Sequence, residues 1–222
     1  MRKALVIGIN EYPGCPLAGC ENDASRITGL LHRHYDDAPN FECQTHLSSR
    51  EQITRDLLRQ SLQRLFGDPA DAALFYFAGH GSSNRGGILV TVDYTQHDEG
   101  IPMEEVLALS RDASKYIKEI FIVLDCCYSG YSGRSWLAPD IDVLPPGVSI
   151  LTASSSKQTA AEKGGSGVFT SLVCDALEGG AADVLGNVTA ARVYAYLDQT
   201  LGAFDQRPHF KANLSKLLGS TL

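Results

Sequence analysis

No run of about twenty apolar residues occurs in this chain of 222, so no segment is read as spanning a bilayer. Basic residues are also short. Nineteen Lys and Arg stand against 26 Asp and Glu, a net charge of −7. That balance argues against a nucleic-acid binder, which needs cationic patches for phosphates, and mildly favours basic ligands. The G-x-S-x-G of an α/β-hydrolase is missing. So is the lysine that would turn "GGSGVFTS" into a phosphate-binding P-loop. No internal repeat is visible. The opening "MRKALVIGINEYPG" has two cations before an apolar run, but Asn10 and Glu11 end that run early and no small-residue cleavage site follows. It reads as a first strand rather than a signal peptide. A cytoplasmic location is the expectation, and six cysteines then read as reduced thiols.

What is present is an ordinary globular composition, 44% hydrophobic, and an alternation of short apolar runs with helical patterns. "KALVIGI", "AALFYFAGHG" with its exit loop, "IFIVLD" and "VSILTAS" read as strands, and the alternating "FECQTHL" as an outer strand. Helical spacing runs through Asn22–Arg33. A second helix carries Ile53, Leu57, Leu58, Leu62 and Leu65, with Ser49 and Gln52 placed as a capping box. Pro102 opens a third, and others cover Val168–Leu177 and Ala190–Leu201. Such alternation predicts βαβ units and a mainly parallel sheet covered on both faces. The stretches "GSSNRGG", "YSGRSWLAPDIDVLPPG" and "SSSKQTAAEKGGSG" read as loops following strands. In open α/β sheets, that end is where ligands bind.

Two strands end in reactive side chains. One reaches His80 in "FAGHG", the other Cys126 and Cys127 in "LDCCYSG". A thiol becomes a nucleophile when a nearby imidazole deprotonates it. Taken singly, each is most simply a loop histidine or a small buried hydrophobe. Both at carboxyl ends of apolar strands point to a catalytic dyad. Strand alternation puts Asp125 and Cys127 on one side and Cys126 on the other, with Leu124 and Ile122, which suits a core role for Cys126. Gly79 and Gly81 flank His80 and permit a tight turn, and the Gly81 N–H is a candidate oxyanion donor.

In order along the chain, "ALVIGINEY", "LAGCENDA", "YFAGHG", "DCCYSG" and "SSSKQTAAE" followed by "GVFTSLV" resemble the motifs of the caspase-like cysteine peptidases, within them the metacaspase and bacterial orthocaspase branch. The resemblance extends to about residue 178. It implies a three-layer α/β/α sandwich with a mainly parallel sheet of about six strands, as one domain over 1–222. Residues about 1–135 would be large-subunit-like and about 147–222 small-subunit-like. It implies a cysteine endopeptidase with His80 as acid/base and Cys127 as nucleophile, and with the backbone N–H groups of Gly81 and Cys127 holding the oxyanion. Asp23 and Asp125, with Cys20 nearby, match an acidic S1 pocket that selects Arg or Lys at P1. Two carboxylates beside a nucleophile suit a guanidinium or ammonium on chemical grounds as well. The simpler readings are an N-cap for Asp23 and a satisfied strand-end carboxylate for Asp125.

Two positions depart from the usual D-S-C-H-S-G: Cys126 replaces Ser and Tyr128 replaces His. Many metacaspases need calcium. Here Asp93, Glu104 and Glu105 are a thin remnant of an acidic cluster, and Arg134 stands where an acid is expected, so calcium activation is disfavoured and no cofactor is expected. A zinc site from Cys15, Cys20, His32 and His34 is disfavoured by their spacing. Expected partners are protein or peptide substrates with a basic P1 residue and a regulatory or sensor protein, with no nucleic acid and no membrane. Arg134, Lys157 and Lys163 are candidate self-cleavage points. Roles in bacterial stress, signalling or defence follow from the resemblance. The competing reading is a caspase-fold pseudoenzyme or interaction module.

Overall fold

Apolar runs that read as strands become the central strands of one sheet. The computed structural model describes residues 1–128, 144–153, 162–163, 166–201 and 208–213. In chain order, β1 (Arg2–Gly8), α1 (Cys20–His32), β2 (Phe41–Leu47), α2 (Arg55–Gly67) and β3 (Ala70–Ser82) build the first half. The short strands β4 (Ile88–Val90) and β5 (Gly100–Pro102) precede α3 (Met103–Ala113), β6 (Ile117–Tyr128) and β7 (Val148–Thr152). Then come β8 (Glu162–Lys163), β9 (Ser166–Gly167), α4 (Val168–Asp175), α5 (Ala190–Thr200) and β10 (His209–Ala212).

The main path across the sheet is β10-β7-β6-β3-β1-β2. Neighbours from β7 to β2 are parallel, and β10 runs antiparallel to β7 at the edge. This matches the expected sheet of about six mainly parallel strands. β4 extends it by pairing antiparallel with the end of β3, and β5 pairs with β4.

Both faces are covered, which is why the central strands read as continuous apolar runs. One face packs Leu5, Ile7, Phe75, Phe77, Ile120, Ile122 and Leu124 under Leu58 and Leu62 of α2 and Val106 of α3. The other packs Ala4, Val6, Tyr76 and Ala78 against Ala24 and Ile27 of α1, Val173 of α4 and Leu197 of α5. The result is a three-layer α/β/α sandwich.

Several local expectations need correcting. The capping box at Ser49 and Gln52 does not form. Helix α2 begins later, and the Thr54 side chain accepts from the Leu57 N–H instead. Ile53 still packs in the core, fully buried, from just before the helix. Ser49 turns to Glu21, donating through its N–H (2.8 Å) and its hydroxyl (2.5 Å). β3 continues through the Gly79–Gly81 segment rather than leaving it as an exit loop, because β4 offers its far end a hydrogen-bonding partner. Helix α4 ends at Asp175 and passes into a wider turn at Ala176–Gly180.

The N-terminus of α1 is capped from a distance. The Asn10 Oδ1 accepts the N–H groups of Cys20 (3.0 Å) and Glu21 (3.4 Å), and its Nδ2 donates to the Ala18 carbonyl (3.1 Å). These N–H groups have no partner inside the helix, so the side chain replaces a local cap. Asn10→Ala is expected to lower stability by about 1–2 kcal/mol, measured by urea unfolding. An unchanged midpoint would remove this capping role.

Candidate active site

The register of two neighbouring strands assembles the site. β3 and β6 run parallel with Ala78 opposite Asp125, Gly79 opposite Cys126 and His80 opposite Cys127. Adjacent strands lie about 4.8 Å apart, so the two residues expected to form the dyad are brought side by side at the carboxyl end of the sheet. Gly81 pairs with Tyr128 on one side and Leu89 of β4 on the other. Cys126 is 2% exposed and packs in the α2–α3 core, as strand alternation predicts.

His80 is held at several points. Its backbone N–H donates to the Tyr12 hydroxyl (3.0 Å), and the Tyr12 ring lies 4.6 Å from the imidazole, centroid to centroid, tilted by 55°. Its Nε2 meets the Cys15 carbonyl at 2.8 Å. A carbonyl oxygen only accepts, so Nε2 carries the hydrogen and Nδ1 is left as the basic nitrogen.

The acids lie on the α1–α4 side. Asp23 is in the first turns of α1 and 2% exposed, where helix N-terminal polarity favours a carboxylate. It is not the N-cap; that position is Gly19. The Asp23 Oδ2 accepts the N–H of Gly167 (2.9 Å). The Asp125 Oδ2 accepts from the Thr170 hydroxyl (2.6 Å), and Thr170 in turn meets the Tyr76 hydroxyl at 2.6 Å. Since Thr170 donates its one proton to Asp125, Tyr76 donates to Thr170. A Cβ built on Gly167 would lie 2.9 Å from the Asp125 Oδ2 and 3.3 Å from the Asp23 Oδ2. Both carboxylates therefore converge on one backbone position at the start of α4. Burial pushes the Asp125 carboxyl up to about 6. The Thr170 hydrogen bond opposes that shift and the nearby Asp23 charge adds to it. Cys20 sits partly buried at the head of the same helix.

Carboxylates elsewhere are neutralised differently. Asp93 meets the Arg55 Nε (3.1 Å) and the Thr91 hydroxyl (2.6 Å); Arg55 also pairs with Asp98. Glu105 forms a two-pronged pair with Arg59 at 2.6 and 3.1 Å, and Glu104 is exposed. Among the described residues no group of three or more His, Cys, Asp or Glu comes together as a metal site. The phosphate reading of "GGSGVFTS" fails on charge, since the N-terminus of α4 faces Asp23 and Asp125. Arg134 and Lys157 lie outside the described residues, and Lys163 is in β8.

A mainly parallel sheet between helical layers, with a histidine and a cysteine at adjacent strand ends, defines the class as a caspase-like α/β protein. The caspase domain family matches residues 1–218, and the chain belongs to that family. It is 31% identical over 149 residues to Metacaspase-1 of Plasmodium falciparum (isolate 3D7), covering 59% of this chain and 24% of that one. It is 32% identical over 143 residues to Metacaspase-8 of Arabidopsis thaliana, covering 58% and 37%. The matched part thus spans 24% of one of these relatives and 37% of the other. In structure it is similar to protein GSU0716 from Geobacter sulfurreducens (TM-score 0.69, 16% identity, 98% of this chain and 95% of that one). It is also similar to Caspase-1 from Spodoptera frugiperda (TM-score 0.66, 13% identity, 97% and 87%). Among the described residues no helix is long and apolar enough to cross a membrane.

Sequence reading did not find Tyr12, Thr170 or Tyr76. Tyr12 had a faint signal as an aromatic in the loop just after β1. Thr170 is a hydroxyl among apolar residues at the start of α4. Thr170→Val should raise the Asp125 carboxyl further, because it removes the hydrogen bond that favours the charged form. A 13C carboxyl titration checks this. An unshifted midpoint would show that Thr170 does not tune the acid. The elevated folded value exceeds the unfolded one, about 4. The stability Asp125 contributes is therefore complete below about pH 4 and is lost as pH rises through about 6.

Proposed function

We propose that this chain is a cysteine endopeptidase that cleaves protein or peptide chains after Arg or Lys through a His80–Cys127 dyad. The observation that carries the specificity is the convergence of Asp23 and Asp125 on Gly167, two residues along β6 from the thiol. A cationic P1 side chain entering there meets two carboxylates, one at the head of a helix and one at a strand end, and its charge favours the ionised form of Asp125. Long-range attraction helps as well, since the chain carries −7 overall.

Cys127 gives its proton to the His80 Nδ1 and attacks the P1 carbonyl. The tetrahedral oxyanion is held by backbone N–H groups, those of Gly81 and Cys127. His80 returns the proton to the leaving amine as the C–N bond breaks, leaving a thioester. It then takes a proton from water, whose oxygen attacks the thioester; the C–S bond breaks, the carboxylic acid product leaves and His80 returns the proton to the Cys127 thiolate. One caspase-like domain over 1–222 suffices for this chemistry, with a regulatory or sensor partner as a second element. Calcium is not required in this reading, because Asp93 and Glu105 are already paired with arginines.

A peptide-library profile tests the reading. Cleavage after Arg and Lys is expected, unchanged by Ca²⁺ or a chelator and lost in Cys127→Ala. Cleavage that persists in that variant would refute the assigned nucleophile. Asp125→Asn is expected to lower kcat/KM for arginyl substrates by about 10²-fold or more, the scale of a buried charge pair, while Cys127 stays open to alkylation. An unchanged P1 preference would remove the acidic pocket. For basic P1 substrates kcat/KM should also fall as pH drops through about 6, as Asp125 is protonated. A pH profile that stays flat there would separate Asp125 from substrate binding.

A further inference from the structure

We propose that Tyr12 is a positioning residue for His80, and that position 79 is glycine because the Tyr12 hydroxyl fills the space a side chain would need. The inference rests on the reading of His80 as acid/base. Tyr12 is 3% exposed and lies in the segment between β1 and α1, outside both strands that end in the dyad. Its hydroxyl has one proton, which it donates to the Val90 carbonyl of β4 (3.0 Å). Its oxygen accepts the backbone N–H of His80 (3.0 Å). The phenol thus bridges the main chain of β3, at the histidine itself, to the main chain of β4. Burial raises the Tyr12 hydroxyl well above its ordinary range, so it stays protonated and keeps both bonds through neutral pH.

The same residue reaches the imidazole by two further routes. Its ring packs on the imidazole at 4.6 Å. Its own carbonyl accepts the Cys15 N–H (3.3 Å), closing the turn whose Cys15 carbonyl takes the His80 Nε2 hydrogen (2.8 Å). Tyr94 braces that turn from outside by donating to the Pro13 carbonyl (2.5 Å). Backbone, ring face and tautomer of His80 are therefore all tied to Tyr12. A tilted aromatic contact alone would leave the imidazole free to slide. Two direct attachments to this buried residue, and one through the Cys15 carbonyl, fix where Nδ1 stands.

Gly79 supplies the independent observation. A Cβ there would lie 2.4 Å from the Tyr12 hydroxyl oxygen, closer than two non-bonded atoms can approach. The next nearest atoms are Phe77 ring carbons at 3.1 and 3.2 Å. Removing the hydroxyl should therefore relieve the worst of the clash and leave a smaller one.

The test is a double-mutant cycle on the full chain: Tyr12→Phe, Gly79→Ala and both together, with His80→Ala and Cys127→Ala as controls. Two quantities are read: kcat and KM on an arginyl peptide, and the pH dependence of Cys127 alkylation by iodoacetamide. Tyr12→Phe should lower kcat about 10-fold or more with KM nearly constant, and displace the alkylation profile along the pH axis, as expected for a moved imidazole. Gly79→Ala should cost about 10²-fold, the scale of a 1 Å misplacement. Adding Tyr12→Phe to it should restore about 10-fold, since contacting residues couple. A wild-type alkylation profile in Tyr12→Phe, or losses in the double variant that simply multiply, would overturn the proposal. If His80→Ala keeps its activity, the dyad reading fails. If His80→Ala is inactive while Tyr12→Phe matches wild type, only the positioning role fails. One measurement needs no variant of Tyr12: in 15N-histidine spectra of the intact protein His80 should be the Nε2–H tautomer at neutral pH, and an Nδ1–H tautomer would overturn its attachment to the Tyr12–Cys15 turn.

Discussion

The parallel pairing of β3 with β6 is the constraint on which the rest depends. It runs from Ala70 opposite Ile117 to Gly81 opposite Tyr128. Side chains alternate along a strand, so a slip of one residue would bring Cys126 beside His80 and turn Asp125 into the α2–α3 core. That slip is blocked by packing on both faces. Phe75, Phe77, Ile122 and Leu124 fill one side, while Tyr76 and Ala78 fill the other against α1 and α4. With both faces covered, the register that buries Phe75, Phe77, Ile122 and Leu124 is also the one that aligns the strand ends. The chemistry at those ends is thereby fixed by core residues several positions away.

The same sheet makes two kinds of acid possible. Asp93 and Glu105 lie at the surface of the α2–α3 layer and are paired with guanidinium groups. Asp23 and Asp125 are drawn into the α1–α4 layer, where desolvation works against charge. There the Gly167 N–H meets Asp23, and the Tyr76–Thr170 hydroxyl chain meets Asp125. Each of these donors is neutral, so it steadies a carboxylate without cancelling its charge. Burial in that layer also accounts for the upward shift of the Asp125 carboxyl to about 6.

Much of this was legible in the sequence, and the boundary is physical. Apolar runs and helical spacing report burial, so the strands, the layers and the core role of Cys126 could be read from period alone. Alternation also put Asp125 on a different face from Cys126. Contacts between residues far apart in sequence were out of reach. Nothing local to "NEYPG" says that Tyr12 meets a histidine 68 positions on, and nothing in "GVFTS" says that Thr170 reaches back to Asp125. Helix starts failed for the related reason that capping can be supplied from elsewhere. Asn10 caps α1 across the loop, and Ser49, a plausible cap for α2, is claimed by Glu21 instead. The antiparallel edge strand β10 is four residues long, too short for its alternation to stand out.

The segment between β1 and α1 ties these strands of reasoning together. It supplies the Tyr12 phenol and the Cys15 carbonyl to His80, and it leads into α1, whose first turns carry Cys20 and Asp23. Such a segment would ordinarily be mobile. Here Asn10 binds both of its halves. Its carbonyl accepts the Leu17 N–H (2.8 Å), while its side chain holds Ala18 and the first N–H groups of α1. Ser48, at the end of β2, accepts the N–H groups of Asn10 and Glu11 (2.9 and 3.0 Å) and donates to Glu21 in α1. The histidine-facing end and the acid-bearing end are thus parts of one braced unit. The imidazole and the carboxylates keep a fixed separation even though they sit on different elements.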